Sequence, residues 1–268
     1  MICEKCGKPK TFNLHGADVP IACDCTKKQE EQYQIEGRRR IYKHLKNNLG
    51  INDREKNATF ERAALVPGQE NAINKAKQWC NDYLSGKAKN GLLFCGQVGA
   101  GKSYIACAIL DMLCKNQAIC VGENVARAAA IRGDVSHVPL LYKFVRAVDI
   151  PDIIISGFED ENSERRADSL KTARVLVMDD FGAERDTDFV REKLYAIIDH
   201  RHGNNLPMTI TTNLSIKELS EKYGARIFDR LKEACQVIGL TSCSQRQPAG
   251  KASAELLKTQ TKKAQTQI

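Results

Sequence analysis

No stretch of this 268-residue chain approaches the roughly 18 apolar residues that a membrane-spanning helix needs. Its opening, Met-Ile-Cys-Glu-Lys-Cys, carries charges where a secretory leader needs an apolar run. No internal repeat is visible, which removes the solenoid and propeller architectures. These absences lead us to expect a cytoplasmic protein with no membrane partner, whose eleven cysteines are reduced thiols rather than disulfides.

The chain does have enough apolar material for a core. Hydrophobic residues make up 42% and charged residues 28%, and the length leaves room for one large α/β domain with a small appendage. The net charge of +8 permits contact with nucleic acid without requiring it. Residues 1–60 hold twelve Lys/Arg against eight Asp/Glu, so half the excess lies in under a quarter of the chain.

The most informative stretch is 92–103, Leu-Leu-Phe-Cys-Gly-Gln-Val-Gly-Ala-Gly-Lys-Ser. An apolar strand pattern ends at Gly96, Gly-x-x-x-x-Gly-Lys-Ser follows, and a helical pattern begins at once with Tyr104-Ile105-Ala106. Strand, loop and helix in that order are the context that a phosphate-binding P-loop requires. Gly96, Gly99 and Gly101 let the backbone bend so that its N–H groups face a phosphate. Lys102 reaches the β- and γ-phosphates, the Ser103 hydroxyl ligates Mg²⁺, and the helix N-terminus adds a favourable field. This pattern predicts a nucleoside-triphosphate site.

A second apolar run, Val175-Leu176-Val177-Met178, suits a parallel strand buried on both faces, and it ends in Asp179-Asp180. Ligands bind at the C-terminal edge of such sheets, so both carboxylates are expected there. Asp179 is expected to hold Mg²⁺ through water, and Asp180 to orient and deprotonate the attacking water. The strand Met208–Thr212 delivers Asn213 to the same edge, where its amide can fix that water or the γ-phosphate.

The N-terminus carries Cys3-x-x-Cys6 and, after sixteen intervening residues, Cys23-x-Cys25. Two close pairs of thiolates can meet at one tetrahedral Zn²⁺, with His15 as an alternative to one cysteine. A segment this short has too little apolar material for its own core, so metal would supply its folding energy. Ile35, Ile41, Tyr42 and Leu45 are then spaced for a broken amphipathic helix with a basic face, on which Arg38-Arg39-Arg40 form a phosphate grip or an ordinary solvated surface.

Elsewhere the periodicity predicts helices over 69–84, 187–202, 215–223 and 225–231, and one after the P-loop ending near Asn116. It predicts strands over 140–145 and 237–240, a charged loop or helix end over 160–169, and an unassigned Ala/Gly-rich insertion over 118–138. Beyond Gln245 the polar sequence reads as a disordered tail or a frayed helix.

Four motifs, Gly-Gln-Val-Gly-Ala-Gly-Lys-Ser, Val-Met-Asp-Asp-Phe-Gly-Ala-Glu, Ile-Thr-Thr-Asn-Leu and Tyr-Gly-Ala-Arg-Ile-Phe-Asp-Arg-Leu, stand in this order between residues 96 and 231. Together they resemble the DnaC/DnaI-type replicative helicase loaders, a branch of the AAA+ ATPases, over about residues 60–246. The resemblance implies an ATP-dependent protein that docks on a hexameric replicative helicase and helps place it on single-stranded DNA. It makes Lys102 and Ser103 the Walker A residues, Asp179 and Asp180 Walker B, and Asn213 sensor 1. It makes Arg230 an arginine finger reaching a neighbour's ATP across a self-association interface, with Arg226 assisting or exchanging roles with it, and Arg246 a sensor 2-like arginine. An ordinary helix surface, paired with Glu221 or Glu233, is the structural alternative for the two helix arginines. Asp180 stands where many AAA+ proteins have Glu, which suits a slow, DNA-stimulated ATPase. The cysteine cluster resembles the zinc-bearing N-terminal domain of DnaI-like loaders.

The expected fold is therefore α/β. A P-loop AAA+ domain over 60–246, with a parallel sheet flanked by helices, follows a zinc-binding module over 1–30 and a helical basic linker over 31–59; a polar tail occupies 247–268. The expected cofactors are ATP, Mg²⁺ and Zn²⁺. The competing readings are an IstB-like transposition helper, a P-loop small-molecule kinase, and a non-hydrolysing zinc/DNA adaptor, which the intact Walker residues argue against.

Overall fold

Residues 2–15, 17–20, 23–63, 68–88, 90–157 and 161–240 are described by the computed structural model. Two short strands, β1 (Thr11–Leu14) and β2 (Ala17–Pro20), form an antiparallel hairpin with Phe12 opposite Val19. Helix α1 (Asp24–Asn47) follows as one continuous element rather than a broken one. Next come α2 (Glu70–Leu84), β3 (Gly91–Gly96), α3 (Lys102–Cys120), α4 (Glu123–Arg132), β4 (Tyr142–Arg146), α5 (Ile150–Ser156) and α6 (Glu161–Thr172). The chain continues through β5 (Val175–Asp179), α7 (Asp188–Gly203), β6 (Met208–Thr212), α8 (Ile216–Ala234) and β7 (Cys235–Leu240). Among the described residues no single helix is long and apolar enough to cross a membrane.

The last five strands build one all-parallel sheet in the order β4-β5-β6-β3-β7. Side chains alternate along each strand, and helices cover both faces. Leu92, Phe94, Val175 and Val177 point into a core shared with α1 to α4. Leu93, Cys95, Leu176 and Met178 point into a second core under α5 to α8. Burial on both faces explains why these strands read as unbroken apolar runs. The same demand makes α3 apolar around most of its girth, because it lies between the sheet and α1 and α2.

Several sequence expectations need correction. The helix after the P-loop does not end near Asn116 but runs on to Cys120. The unassigned stretch 118–138 contains α4, which packs along α1. Alanines make its inner face small, so no strong apolar stripe marks it in the chain. Residues 161–169 of the charged stretch lie in the helix α6, whose buried residue is Leu170. Strand β4 starts at Tyr142, and Leu140 is exposed rather than in the strand. Arg40 donates to the carbonyl oxygens of Ala129 and Ala130 near the end of α4, so it binds a helix C-terminus within this chain.

Helix ends follow their side-chain chemistry. Thr187 caps α7 by accepting from the Val190 N–H, and Ser215 with Glu218 forms a reciprocal capping box on α8. Helix α8 kinks at Gly224, whose φ of 74° is one that L side chains rarely adopt, so the stop expected there is a bend between two helical halves.

Helix α1 is joined to the domain by more than apolar contact. Asp111 of α3, 2% exposed, accepts from the Tyr42 hydroxyl at 2.6 Å and pairs with Lys46 and Lys115. Leu49, Ile51 and Ala58, from the stretch expected as linker, are buried in the same core as the P-loop strand.

Candidate functional site

The strand order decides which side chains meet. Placing β6 between β3 and β5 brings Asn213 between the P-loop and the paired aspartates, all at the C-terminal edge of the sheet. There a cleft of about 690 Å³ is lined by Gly99, Gly101, Lys102, Ser103, Asp180 and Asn213. Gly101, with φ 88°, turns the chain into α3 and lies against the Gln69 side chain, which leaves no room for a Cβ.

Lys102 is 4% exposed, and its ammonium donates to the carbonyl oxygens of Gly96 and Gln97, each at 2.8 Å, and to Asn213 Oδ1 at 2.7 Å. A cation held at the mouth of the P-loop by oxygen atoms is well placed to exchange some of them for phosphate oxygens. Asn213 Nδ2 in turn donates to Asp180 Oδ1 at 3.4 Å. One amide thus touches both the P-loop lysine and the second carboxylate.

Asp179 is 7% exposed, and burial pushes its carboxyl above the usual carboxylate range. Hydrogen bonds from Thr211 and Ser103 oppose that rise. The Thr211 hydroxyl donates to Asp179 Oδ1 at 2.6 Å and accepts the Asp180 N–H at 2.9 Å. Asp180 sits at φ 54°, an uncommon conformation for a residue with a side chain. Ser103 and Asp179 therefore present a hydroxyl and a buried carboxylate side by side, a donor set that fits Mg²⁺ with water completing its shell.

The rest of the cleft lining carries no signal in the sequence. Arg54, Arg62, Gln69 and Ile73 line it, and Gln69 Nε2 donates to the Ala100 carbonyl at 2.6 Å. These residues come from chain far upstream of the P-loop and match no motif; only the tertiary packing brings them in. Thr211 was legible in principle, since it lies near the C-terminal end of β6, two residues before Asn213.

The other expected site residues lie elsewhere. Arg226 and Arg230 are on the second half of α8 and do not line this chain's cleft. Arg230 pairs with Asp199 and Glu233, each at 3.1 Å, whereas Arg226 stacks its guanidinium 4.8 Å over the Tyr195 ring. Arg246 and the expected tail lie outside the described residues. At the N-terminus the sulfur atoms of Cys3, Cys6, Cys23 and Cys25 all fall within 4.8 Å of one another, and His15 is not in that group. Thr26, through its hydroxyl and then its N–H, draws the Cys23 thiol down to about 6. Four converging thiols fit a tetrahedral zinc centre in donor type and spacing.

A five-stranded parallel sheet between two helical layers, with a P-loop, an acidic strand end and an intervening polar strand end around one cleft, gives a P-loop α/β domain whose fold resembles that of AAA+ proteins. The particular resemblance is to replicative helicase loaders. Over 189 residues the chain is 24% identical to the replicative helicase loader DnaC of Escherichia coli (strain K12), covering 69% of this chain and 67% of that protein. Over 209 residues it is 25% identical to the replicative helicase loader DnaI of Bacillus subtilis (strain 168), covering 71% of this chain and 59% of that one. The crystal structure of the DnaC helicase loader matches with a TM-score of 0.54 and 22% identity, over 70% of this chain and 99% of the other. No family model matches the chain.

Proposed function

We propose that this protein is an ATP-dependent helicase loader: it binds a hexameric replicative helicase, helps place it on single-stranded DNA, and uses ATP binding and hydrolysis as the switch. The observation that carries the reading is the convergence of Lys102, Ser103, Asp180 and Asn213 on one cleft, with the buried Asp179 hydrogen-bonded to Ser103. The similarity to DnaC and DnaI supplies the helicase.

Lys102 and the P-loop N–H groups bind the β- and γ-phosphates. Ser103 and Asp179 hold Mg²⁺, which when bound neutralises charge on the phosphate oxygens. Asp180 accepts a proton from the attacking water, and Asn213 orients that water or the γ-phosphate. Arg230, assisted by Arg226 or exchanging roles with it, acts on the ATP of a neighbouring copy, and Arg246 serves as a nucleotide-sensing arginine. That Arg226 and Arg230 do not line this chain's own cleft supports an action in trans. Cys3, Cys6, Cys23 and Cys25 hold a structural Zn²⁺ in a module over 1–30 that grips the helicase. This cysteine cluster favours a loader over an IstB-like transposition helper, and a small-molecule kinase has no use for it.

The test combines ATP affinity with capture of a hexameric replicative helicase. Lys102→Ala should lose ATP binding while its thermal unfolding stays cooperative, and wild type should retain the helicase with single-stranded DNA in a salt-sensitive complex. Unchanged ATP affinity in Lys102→Ala would remove the cleft assignment. Phosphoryl transfer from ATP to an added metabolite, without helicase capture, would favour the kinase.

A further inference from the structure

Glu184 is a buried carboxylate that the cleft does not use. It is 4% exposed, lies four residues after Asp180, and does not line the nucleotide cleft. Burying a carboxylate is costly unless its oxygens are fully matched, and here they are. Its Oε2 accepts the Gly182 N–H at 2.9 Å, and its Oε1 accepts the Tyr223 hydroxyl. Lys222 Nζ stands 3.6 Å from Oε1 and donates to the carbonyl oxygens of Gly182 at 2.5 Å and Glu184 at 3.2 Å. The Phe181 and Tyr223 rings stack with centroids 4.6 Å apart.

These contacts close the turn that begins at Asp180. On its inner side the Asp180 N–H and the Phe181 N–H bond to the hydroxyl and the carbonyl oxygen of Thr211. On its outer side the turn has Glu184, Tyr223 and Lys222. A left-handed φ at Asp180 persists only where its surroundings over-determine it, and Glu184 supplies the outer half of that constraint. Tyr223 and Lys222 end the first half of α8, one residue before the bend at Gly224; Arg226 and Arg230 follow on the second half.

We propose that Glu184 is a positioning residue for ATP hydrolysis: through Gly182 and Tyr223 it holds the Asp180 turn in place and ties that turn to the helix bearing Arg226 and Arg230. The inference rests on the hydrolytic reading of the cleft. Glu184 does not line the cleft; it acts only through its neighbours. Burial, and then the Glu184 charge, push the Tyr223 hydroxyl well above the usual tyrosine range, so it stays a proton donor to the carboxylate.

Glu184→Gln preserves shape and can still accept from Tyr223, but its amide nitrogen cannot accept from Gly182. Tyr223→Phe removes one oxygen and keeps the ring stack. ATP affinity and KM should stay at wild-type values in both variants, while kcat falls by about a hundredfold in Glu184→Gln. The double variant should be no slower than the slower single variant, because both changes break one unit. Normal kcat in both variants, beside an active wild type, would overturn the inference and leave the ATPase reading intact. A parallel loss of ATP affinity, or additive losses in the double variant, would reduce Glu184 to a general structural role and also overturn it. If Glu184→Gln does not fold, Tyr223→Phe carries the same test. A wild type that binds ATP but never hydrolyses it would overturn both readings together.

Discussion

Gly37 of α1 lies directly against the backbone of Ala126 in α4: a Cβ on Gly37 would come within 1.8 Å of the Ala126 carbonyl oxygen. The two helices touch main chain to main chain, and only glycine permits that approach. A larger residue here should push α1 off α4 while leaving the nucleotide cleft alone. Gly37→Leu is expected to destabilise the protein by about 1–3 kcal/mol. Chemical denaturation should register that loss, with ATP affinity measured on the folded protein unchanged.

Asp179 should trade stability for function. Burial raises its carboxyl, so ionised Asp179 costs the folded state more than the unfolded one. For such a group the stabilising contribution is present below the unfolded-state pKa and is lost as pH rises through the higher folded-state value. At neutral pH, Asp179→Asn should therefore be more stable than wild type, by about 0.5–2 kcal/mol. That gap should narrow as pH falls and the wild-type carboxyl takes up its proton. Mg²⁺-dependent hydrolysis should be lost in the same variant. Thermal unfolding at several pH values checks the sign, and phosphate release checks the loss.

Arg230 makes two partly exposed ion pairs, with Asp199 and Glu233, which together contribute little to stability. Arg230→Ala should therefore fold and bind ATP normally. If Arg230 serves a neighbour's ATP, its loss should lower hydrolysis or assembly, and mixing in Lys102→Ala subunits should restore activity at mixed sites. Normal hydrolysis and assembly by Arg230→Ala alone would rule the role out. Arg226→Ala, which removes only the stack on Tyr195, separates the two arginines.

The cysteine cluster leads to a metal prediction. Protein purified without chelator should carry one Zn²⁺ per chain, and Cys23→Ser/Cys25→Ser should carry none. Because the thiols lie in a small segment that precedes α1 and enters its first turn, losing the metal should disorder that segment and spare ATP binding. Elemental analysis and helicase capture on both proteins check the two halves of the claim. Helicase capture at wild-type level by the zinc-free variant would separate the metal from the grip.

Features that depend on contiguous chain are legible in the amino-acid order alone, because local chemistry specifies them. Gly-x-x-x-x-Gly-Lys-Ser between an apolar run and a helical one announces its strand, loop and helix, because phosphate binding needs all three in contiguous chain. The apolar run ending in Asp179-Asp180 announces a strand buried on both faces, and Thr187 and Ser215 mark helix starts through their own side chains. Features that depend on chain distant in sequence arise only on folding. The insertion of β6 between β3 and β5 sets Asn213 against both Lys102 and Asp180. The packing of α1 and the following residues onto the domain brings Arg54 into the cleft, and α4 is held by a glycine on a helix almost ninety residues earlier. Glu184 shows the physical reason most plainly. In sequence it is one more acidic residue after a strand, and its environment of Gly182, Lys222 and Tyr223 exists only once α8 has folded back over the turn.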